Sequence, residues 1–529
     1  MATSRSKRPP AARPKPPLRR ILIANRGEIA LRVVRACRDL GIAPVMVYSD
    51  ADRDSLPVRL ADAAVPIGPA PAAASYLNVQ AILEAALRTG ADAIHPGYGF
   101  LAENADFAEA VEAAGLTFIG PPAAAMRAVG DKVEARRLMA ARGVPIIPGL
   151  TDRAADGRAI EAFAATAGYP ILLKAAAGGG GKGMRVVRSA AELTSMLRAA
   201  RSEAKASFGD DGVYAEKLLE GVRHVEIQIV ADAHGDVVWL GERECSLQRR
   251  HQKLIEEAPS LAVTPALRAK MGALAAEVAR ASGYRNAGTV EFLVDAAGNP
   301  WFMEVNARLQ VEHPVTEMVT GFDLVRAQIA VASGDRLPFR QAEVAPRGWA
   351  IECRILAEDP AHGFRPHPGR ITAVRLPAGP GVRVDTALQA GDEVSLHYDA
   401  LVAKLIAWGE DRDQAIRRML RALREFRIAG IRTTIPFHIE VLEGEEFRGG
   451  RFDIAWVDRA LPGLSPRLEA PLEGFETAAI AAAVEAYEMA RRGAAGTGAA
   501  GTETPASSAW AIAGRRAQMR GRPPRGRWA

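Results

Sequence analysis

Eleven consecutive residues, Glu304-Val305-Asn306-Ala307-Arg308-Leu309-Gln310-Val311-Glu312-His313-Pro314, hold two acids, an asparagine, an arginine and a histidine. They follow the apolar run Trp301-Phe302-Met303, which reads as a strand. Side chains alternate faces on a strand, so Glu304, Asn306 and Arg308 point the same way. Upstream, Gly288-Thr289-Val290-Glu291-Phe292-Leu293-Val294 reads as a second strand, with a turn at Ala296-Ala297-Gly298-Asn299 between them. Such a hairpin sets Glu291 beside Glu304. Two carboxylates and an amide oxygen with no cysteine near form a hard-cation site of the Mg²⁺ type. The bland alternative is a polar, solvated sheet face, and the rest of the chain has to decide.

A second group of residues suits phosphate. Tyr169-Pro170-Ile171-Leu172-Leu173-Lys174 reads as a strand, then come Ala177-Gly178-Gly179-Gly180-Gly181-Lys182-Gly183 and a further strand from Met184. Glycines let backbone N–H groups approach phosphate oxygens, and Lys174 and Lys182 add charge. No Gly-Lys-Ser/Thr opens a helix, so this is not a Walker loop. Tight apolar flanks favour a hairpin lid over a flexible linker. Val213-Tyr214-Ala215-Glu216-Lys217-Leu218-Leu219 reads as a strand whose backbone amide and carbonyl would read an adenine edge. Arg223-His224-Val225-Glu226-Ile227-Gln228-Ile229 alternates polar and apolar, the pattern of a half-buried strand. Residues 242–253 are strongly polar and basic; a solvated face is the usual meaning, cations beside an anionic site the sharper one.

The elements that must position these groups follow a regular order. Short apolar runs at Ile21-Leu22-Ile23, Pro44-Val45-Met46-Val47-Tyr48, Ala64-Val65-Pro66-Ile67, Ala93-Ile94-His95 and Thr117-Phe118-Ile119 alternate with helical spacing. This pitch predicts βαβ units and a mostly parallel sheet. Asn25-Arg26-Gly27-Glu28 opens a helix after a strand but is not GxGxxG. The loop at His95-Pro96-Gly97-Tyr98-Gly99-Phe100-Leu101 lies at a strand's carboxyl end, where open α/β sheets gather ligands.

At 529 residues two to four domains are expected. Residues 1–20 carry seven Lys/Arg and residues 514–529 six, with no acid in either. The formal net charge of +6 therefore belongs to the tails, the body between them is net acidic, and nucleic acid is not an expected partner. No apolar run is long enough to span a bilayer, so no membrane role is expected. The Pro-rich N-terminal tail lacks a signal peptide's apolar core, and its prolines oppose an amphipathic transit helix. Cys37, Cys245 and Cys353 show no metal spacing and read as small buried apolar residues of a reduced, cytoplasmic protein.

In order, these pieces resemble biotin carboxylase, the ATP-grasp component of biotin-dependent carboxylases. The stretches that carry the resemblance are Ile23-Ala24-Asn25-Arg26-Gly27-Glu28-Ile29-Ala30, the loop from His95 to Leu101, Gly130-Asp131-Lys132 and the loop at 178–183. It continues through Arg223-His224-Val225-Glu226, Gln248-Arg249-Arg250-His251-Gln252-Lys253, the opening stretch and Ile351-Glu352-Cys353-Arg354, and runs from about residue 20 to about 458.

The resemblance implies an α/β fold in three parts. These are an N-terminal open parallel-sheet domain at 19–130, an ATP-grasp domain at 131–348 with a glycine-rich lid at about 147–219, and a C-terminal α/β domain at 349–458. Residues 1–18 are expected to be a disordered basic tail, and 459–529 an Ala/Gly-rich helix (at 478–492), a linker and a basic tail. By resemblance, Lys132, Lys174, Gly180, Gly181, His224, Gln248 and His251 bind ATP, and the segment Glu216, Lys217, Leu218 and Leu219 meets adenine. Glu291, Glu304 and Asn306 hold two Mg²⁺ or Mn²⁺ ions. Lys253, Arg308 and Val311 surround bicarbonate, Glu312 is its base, and Arg354 faces biotin.

The implied activity is ATP-dependent carboxylation of biotin by bicarbonate through carboxyphosphate. Acetyl-CoA, giving malonyl-CoA for fatty acid synthesis, is the favoured final acceptor; propionyl-CoA, methylcrotonyl-CoA and pyruvate are the alternatives. A different carboxyphosphate-forming ATP-grasp ligase and a silent ATP-binding scaffold are the competing readings. No Met-Lys-Met tripeptide occurs, so biotin is expected on a separate carrier chain, with a separate carboxyltransferase and a homodimeric enzyme. Three departures from the family pattern stand out: Ala177 for a glycine, Lys182 for an arginine, and the form Phe364-Arg365-Pro366-His367-Pro368-Gly369 near the biotin side.

Overall fold

The first strand, β1 (Arg20–Ile23), is a four-residue run whose last three side chains are fully buried. A strand this short and apolar belongs in the middle of a two-faced sheet, and it lies there in the computed structural model. Residues 17–150, 157–176, 184–469, 484–485 and 487–488 are described. After β1 come helix α1 (Gly27–Asp39), β2 (Ala43–Ser49), β3 (Ala63–Gly68), β4 (Ala93–His95) and β5 (Thr117–Phe118). All five strands pair in parallel in the order β3-β2-β1-β4-β5. The order reverses between β1 and β4, so the loops leaving these two strands part at their carboxyl ends and open a crevice. Asn25 Nδ2 ties the two loops together by donating to the carbonyls of Pro96 (2.7 Å) and Tyr98 (2.8 Å). Gly97, at φ +64°, has to be glycine: a Cβ there would lie 2.8 Å from Asn25 Nδ2.

A small antiparallel sheet follows, made of β6 (Ile171–Ala175), β7 (Arg185–Val187) and β8 (Val213–Lys217) in the order β7-β6-β8. Helices Gly157–Ala167 and Ala190–Phe208 join it around a separate core that includes Ile160, Ile171, Leu173, Leu193 and Val213. The β6–β7 connection at 177–183, with Gly180, Gly181 and Lys182, lies outside the described residues.

The largest element is an antiparallel sheet of β9 (Arg223–Ala231), β10 (Val237–Arg249), β11 (Gln252–Ala258), β12 (Asn286–Val294), β13 (Pro300–Asn306), β14 (Trp349–Leu356), Leu401–Gly409 and Val382–Thr386. Its order is β13-β12-β9-β10-β11-β14, then Leu401–Gly409 and Val382–Thr386. The sheet runs without a break across residue 349, because Glu257 of β11 pairs with Ile351 of β14. One sheet therefore carries Glu291, Glu226, Lys253 and Arg354. The mixed α/β class with a parallel N-terminal sheet is as the sequence predicts.

One reading needs correction. β9 is not half-buried: its polar residues His224, Glu226 and Gln228 are as enclosed as their apolar neighbours. The polar run at 242–253 is divided: Glu242, Arg243, Glu244 and Gln248 on β10 are buried, whereas Arg250, His251 and Gln252 at the turn are exposed. Internal partners rather than water satisfy the polar face. Arg243 Nε donates to Glu226 Oε1 (2.5 Å), and its two terminal nitrogens donate to Gln228 Oε1 (2.7 Å), Thr316 Oγ1 (2.9 Å) and Thr289 Oγ1 (3.0 Å).

The described residues up to Leu468 form one compact unit, and those from Glu469 a second. Residues 484–485 and 487–488 are helical, within the helix expected at 478–492; the rest of that segment lies outside the described residues. No helix among the described residues is long and apolar enough to cross a membrane.

Candidate active site

The hairpin of β12 and β13 sets Glu291 directly opposite Glu304 and Thr289 opposite Asn306. Asp295 closes its turn, accepting from the amides of Ala297 (3.0 Å) and Asn299 (2.9 Å) and from Trp301 Nε1 (3.0 Å). The Lys132 ammonium pairs with Glu304. Lys132 opens the helix Lys132–Ala141, whose N-cap Asp131 accepts from Val133 N (3.0 Å) and Glu134 N (3.1 Å).

Lys174 Nζ lies 2.6 Å from Glu216 Oε2, and Arg136 Nη1 donates to Glu216 Oε1 at 2.6 Å. Burial would raise the Glu216 carboxyl, but Lys174 and Arg136 outweigh it and hold the group below the usual range. The amides of Lys217 and Leu218 donate to the carbonyls of Pro148 (2.8 Å) and Pro170 (3.3 Å). Those two N–H groups are thus engaged within the protein. Lys217 Nζ donates to Gly168 O (3.0 Å) and Tyr169 O (3.3 Å).

His224 Nε2 lies 3.1 Å from Glu291 Oε2, with Gln248 Nε2 3.4 Å from the ring's Nδ1. His251 sits in the tight turn between β10 and β11 at φ +66°, and partial burial beside Lys174 pushes its imidazole down.

Lys253 is the centre of the cluster. Its ammonium donates to Glu226 Oε2 (2.7 Å), Glu291 Oε1 (2.9 Å) and Glu312 Oε1 (2.7 Å). Arg354 Nε donates to Glu256 Oε1 (2.5 Å) and its Nη2 to Glu312 Oε2 (2.9 Å). The Glu312 carboxylate is fully buried. Burial raises its pKa, yet Lys253, Arg354 and Arg243 together hold it well below the usual carboxylate range. Arg308 Nε donates to Glu103 Oε2 (2.8 Å), and its terminal nitrogens to Gln310 Oε1 (2.9 Å) and Asn306 Oδ1 (3.1 Å).

Lys253, Arg308, Val311 and Arg354 line one cavity of about 590 Å³, which reaches Tyr98 in the crevice of the parallel sheet and Leu396 at its lip. The sequence missed Glu103, Glu226 and Glu256. Glu103 and Glu226 lie inside or beside the motif stretches, but nothing in a linear pattern says that Glu103 aims Arg308 across 205 positions. Glu256 pairs with Arg354 only because β11 and β14 are neighbours.

The oxygen donors of Glu291, Glu304 and Asn306 fit a hard divalent ion. In this structure lysines balance the two carboxylates: Lys253 pairs with Glu291 and Lys132 with Glu304. Asn306 Nδ2 is buried without a partner. Ligand atoms of His224, Glu226 and Glu291 also gather within 4.8 Å, but Lys253 holds both of those carboxylates.

Comparison with known families agrees along most of the chain. Residues 17–126 match the family described as biotin carboxylase, N-terminal domain; 131–340 the carbamoyl-phosphate synthase L chain, ATP binding domain; and 352–459 the biotin carboxylase C-terminal domain. A pyruvate carboxylase subunit of Methanothermobacter thermautotrophicus is 49% identical over 489 residues, covering 90% of this chain and 99% of that one. Biotin carboxylase 1 of Bacillus subtilis is 52% identical over 442 residues, covering 83% and 98%. Among solved structures, a biotin carboxylase–β,γ-ATP complex from Campylobacter jejuni superposes with TM-score 0.82 at 45% identity, covering 84% of this chain and 99% of that one. The biotin carboxylase domain dimer of Hydrogenobacter thermophilus 2-oxoglutarate carboxylase, with MgADP, ADP and bicarbonate, gives 0.82 at 44% identity, covering 85% and 99%. The chain belongs to the biotin carboxylase family and is an enzyme of the ligase class.

Proposed function

We propose that this chain carboxylates biotin with bicarbonate at the expense of ATP. The observation that carries the reading is the convergence of Lys253 and Arg354 on the two oxygens of Glu312, in one cavity with Arg308. Lys132 and Lys174 neutralise phosphate oxygens on the nucleotide side. Glu291, Glu304 and Asn306 would hold Mg²⁺, which lowers the charge repulsion at the transferring phosphoryl group. Arg308 anchors the bicarbonate anion, with Val311 and the positive charge of Lys253 in the same wall. Glu312, ionised by its cations, takes the remaining bicarbonate proton as an oxygen attacks the γ-phosphate to give carboxyphosphate. Carboxyphosphate releases CO₂ and phosphate; the phosphate takes the ureido proton of biotin, and the enolate-like ring attacks CO₂. Arg354 holds that oxyanion with a planar, permanent charge. The biotin arrives on a separate carrier, and the enzyme works as a homodimer.

Two acceptors are carried forward. Acetyl-CoA is the sequence-based choice, and pyruvate is favoured by the Methanothermobacter relative, which matches along 90% of this chain. The deciding assay is ATP hydrolysis with bicarbonate, with and without free biotin or a biotinylated carrier. Stimulation by both is expected; no stimulation overturns the reading. Arg354→Met should abolish carboxybiotin formation while ATP still binds. Copurification of the carboxyltransferase with the native chain identifies the acceptor.

A further inference from the structure

Lys404 is a fully buried lysine to which no step above assigns a task. It lies on strand Leu401–Gly409 directly opposite Arg354 of β14, and opposite Asp385 on the other side. Directly opposed residues of an antiparallel pair project to the same face. Arg354 and Lys404 are thus neighbouring cations on one face of the sheet, and they hold consecutive residues of the site. Arg354 Nη2 donates to the Glu312 carboxylate at 2.9 Å, and Lys404 Nζ donates to the Val311 carbonyl at 3.0 Å.

Lys404 is fixed from behind by Glu28 of α1, whose Oε2 lies 3.2 Å away, and by Asp385 Oδ2 at 3.8 Å. Its ammonium also sits 5.7 Å over the ring of Tyr98, in the crevice wall. The amine therefore joins the N-terminal helix, the C-terminal strands and the turn that bears Arg308, Val311 and Glu312. Burial works against its charge, but Glu28 and Asp385 outweigh that and raise its pKa, so the group stays an ammonium.

We propose that Lys404 is a positioning residue for the bicarbonate subsite, holding the Val311 peptide so that Val311, Arg308 and Glu312 meet one anion. The inference rests on the function proposed above. A Lys404 of purely architectural importance would lower stability or affect both substrates alike; a positioning role singles out bicarbonate.

The test uses the full chain, with bicarbonate-dependent ATP hydrolysis in the presence of free biotin. Lys404→Met removes the donor at similar length. Lys404→Met/Glu28→Gln also removes the carboxylate charge that Lys404 compensates, and carries the comparison if the single variant does not fold. In a variant that melts with the parent, the KM for bicarbonate should rise about tenfold, as loss of a buried charged hydrogen bond implies. The KM for ATP should stay within about twofold. An unchanged bicarbonate KM, or equal rises for both substrates, overturns the proposal. A parent chain with no bicarbonate-dependent turnover overturns the functional reading itself, and the parent assay alone separates that failure from this one.

Discussion

Lys253 and Glu312 form a 2.7 Å ion pair in which the lysine has no donor left over. An ammonium has three N–H groups, and the other two go to Glu226 and Glu291. One cation thus joins the carboxylate proposed as the base to a carboxylate proposed as a metal ligand. Lys253 is also the largest attraction holding Glu312 ionised, with Arg354 and Arg243 behind it. Lys253→Met should lower kcat/KM for bicarbonate by at least about a hundredfold, the scale of a lost acid–base contribution. It should also move the acidic limb of the pH–rate profile. A base whose pKa rises is protonated at higher pH, so the variant should lose activity at a pH where the parent is still fully active. A limb that does not move would show that Glu312 is not the titrating base.

Glu291 and Glu304 are held opposite each other by hairpin register, so neither can leave without opening a strand pair. Glu304→Gln keeps the shape, removes one charge and frees Lys132. Affinity for Mn²⁺, titrated calorimetrically with ADP present, should fall by at least about tenfold. Equal affinity in parent and variant would remove Glu304 from the metal site.

Arg243 is fully buried and bonded to Glu226, Gln228, Thr289 and Thr316. Removing one member of a buried ion pair costs about 3–5 kcal/mol when it leaves uncompensated charge. Without Arg243, Glu226 keeps Lys253 at 2.7 Å, but that one lysine then serves Glu226, Glu291 and Glu312. Arg243→Met should therefore lower unfolding stability in urea by about 3 kcal/mol, the lower end of that range. Arg243→Met/Glu226→Gln should recover part of it, since one of the three carboxylate charges around Lys253 is gone. A double variant no more stable than the single one would mean that the neutral hydrogen bonds, not the ion pair, are the source.

Local information is well written in the sequence and non-local information poorly. Strand, turn and hairpin at 288–306 are legible because alternation and a Gly-Asn turn lie within neighbouring residues. The pairing of Glu291 with Glu304 follows from register. The interior position of His224, Glu226 and Gln228 does not. Alternation says only that two faces differ, and Arg243 makes the polar face of β9 as dry as the apolar one. Glu103, Glu256 and Lys404 act through partners 205, 98 and 93 positions away, which only the fold brings together. The donors of Lys217 and Leu218 are illegible for a related reason: their partners, Pro148 and Pro170, lie on other segments.

His95 and His438 are fully buried, and burial pushes both imidazoles from 6.5 down to about 4. His95 Nδ1 accepts from Gly97 N at 3.0 Å in the loop that Asn25 also holds, and His438 Nε2 lies 2.7 Å from the carbonyl of Arg354. Both rings stay neutral in the folded chain while the unfolded chain takes up protons below about pH 6.5. The sign follows from that difference. Stability is complete above the unfolded pKa and is lost as pH falls from about 6.5 toward about 4, by up to about 3 kcal/mol for each ring. Glu28 and Glu256, carboxyls that burial pushes up to about 7, act in the opposite direction over the same range. The overall stability curve therefore mixes both effects, and single variants isolate one. In His438→Gln, which keeps a donor for the Arg354 carbonyl, the urea midpoint should fall less between pH 7 and pH 5 than in the parent, because one group has left the linkage. Identical slopes in parent and variant would mean that His438 is protonated in the folded enzyme.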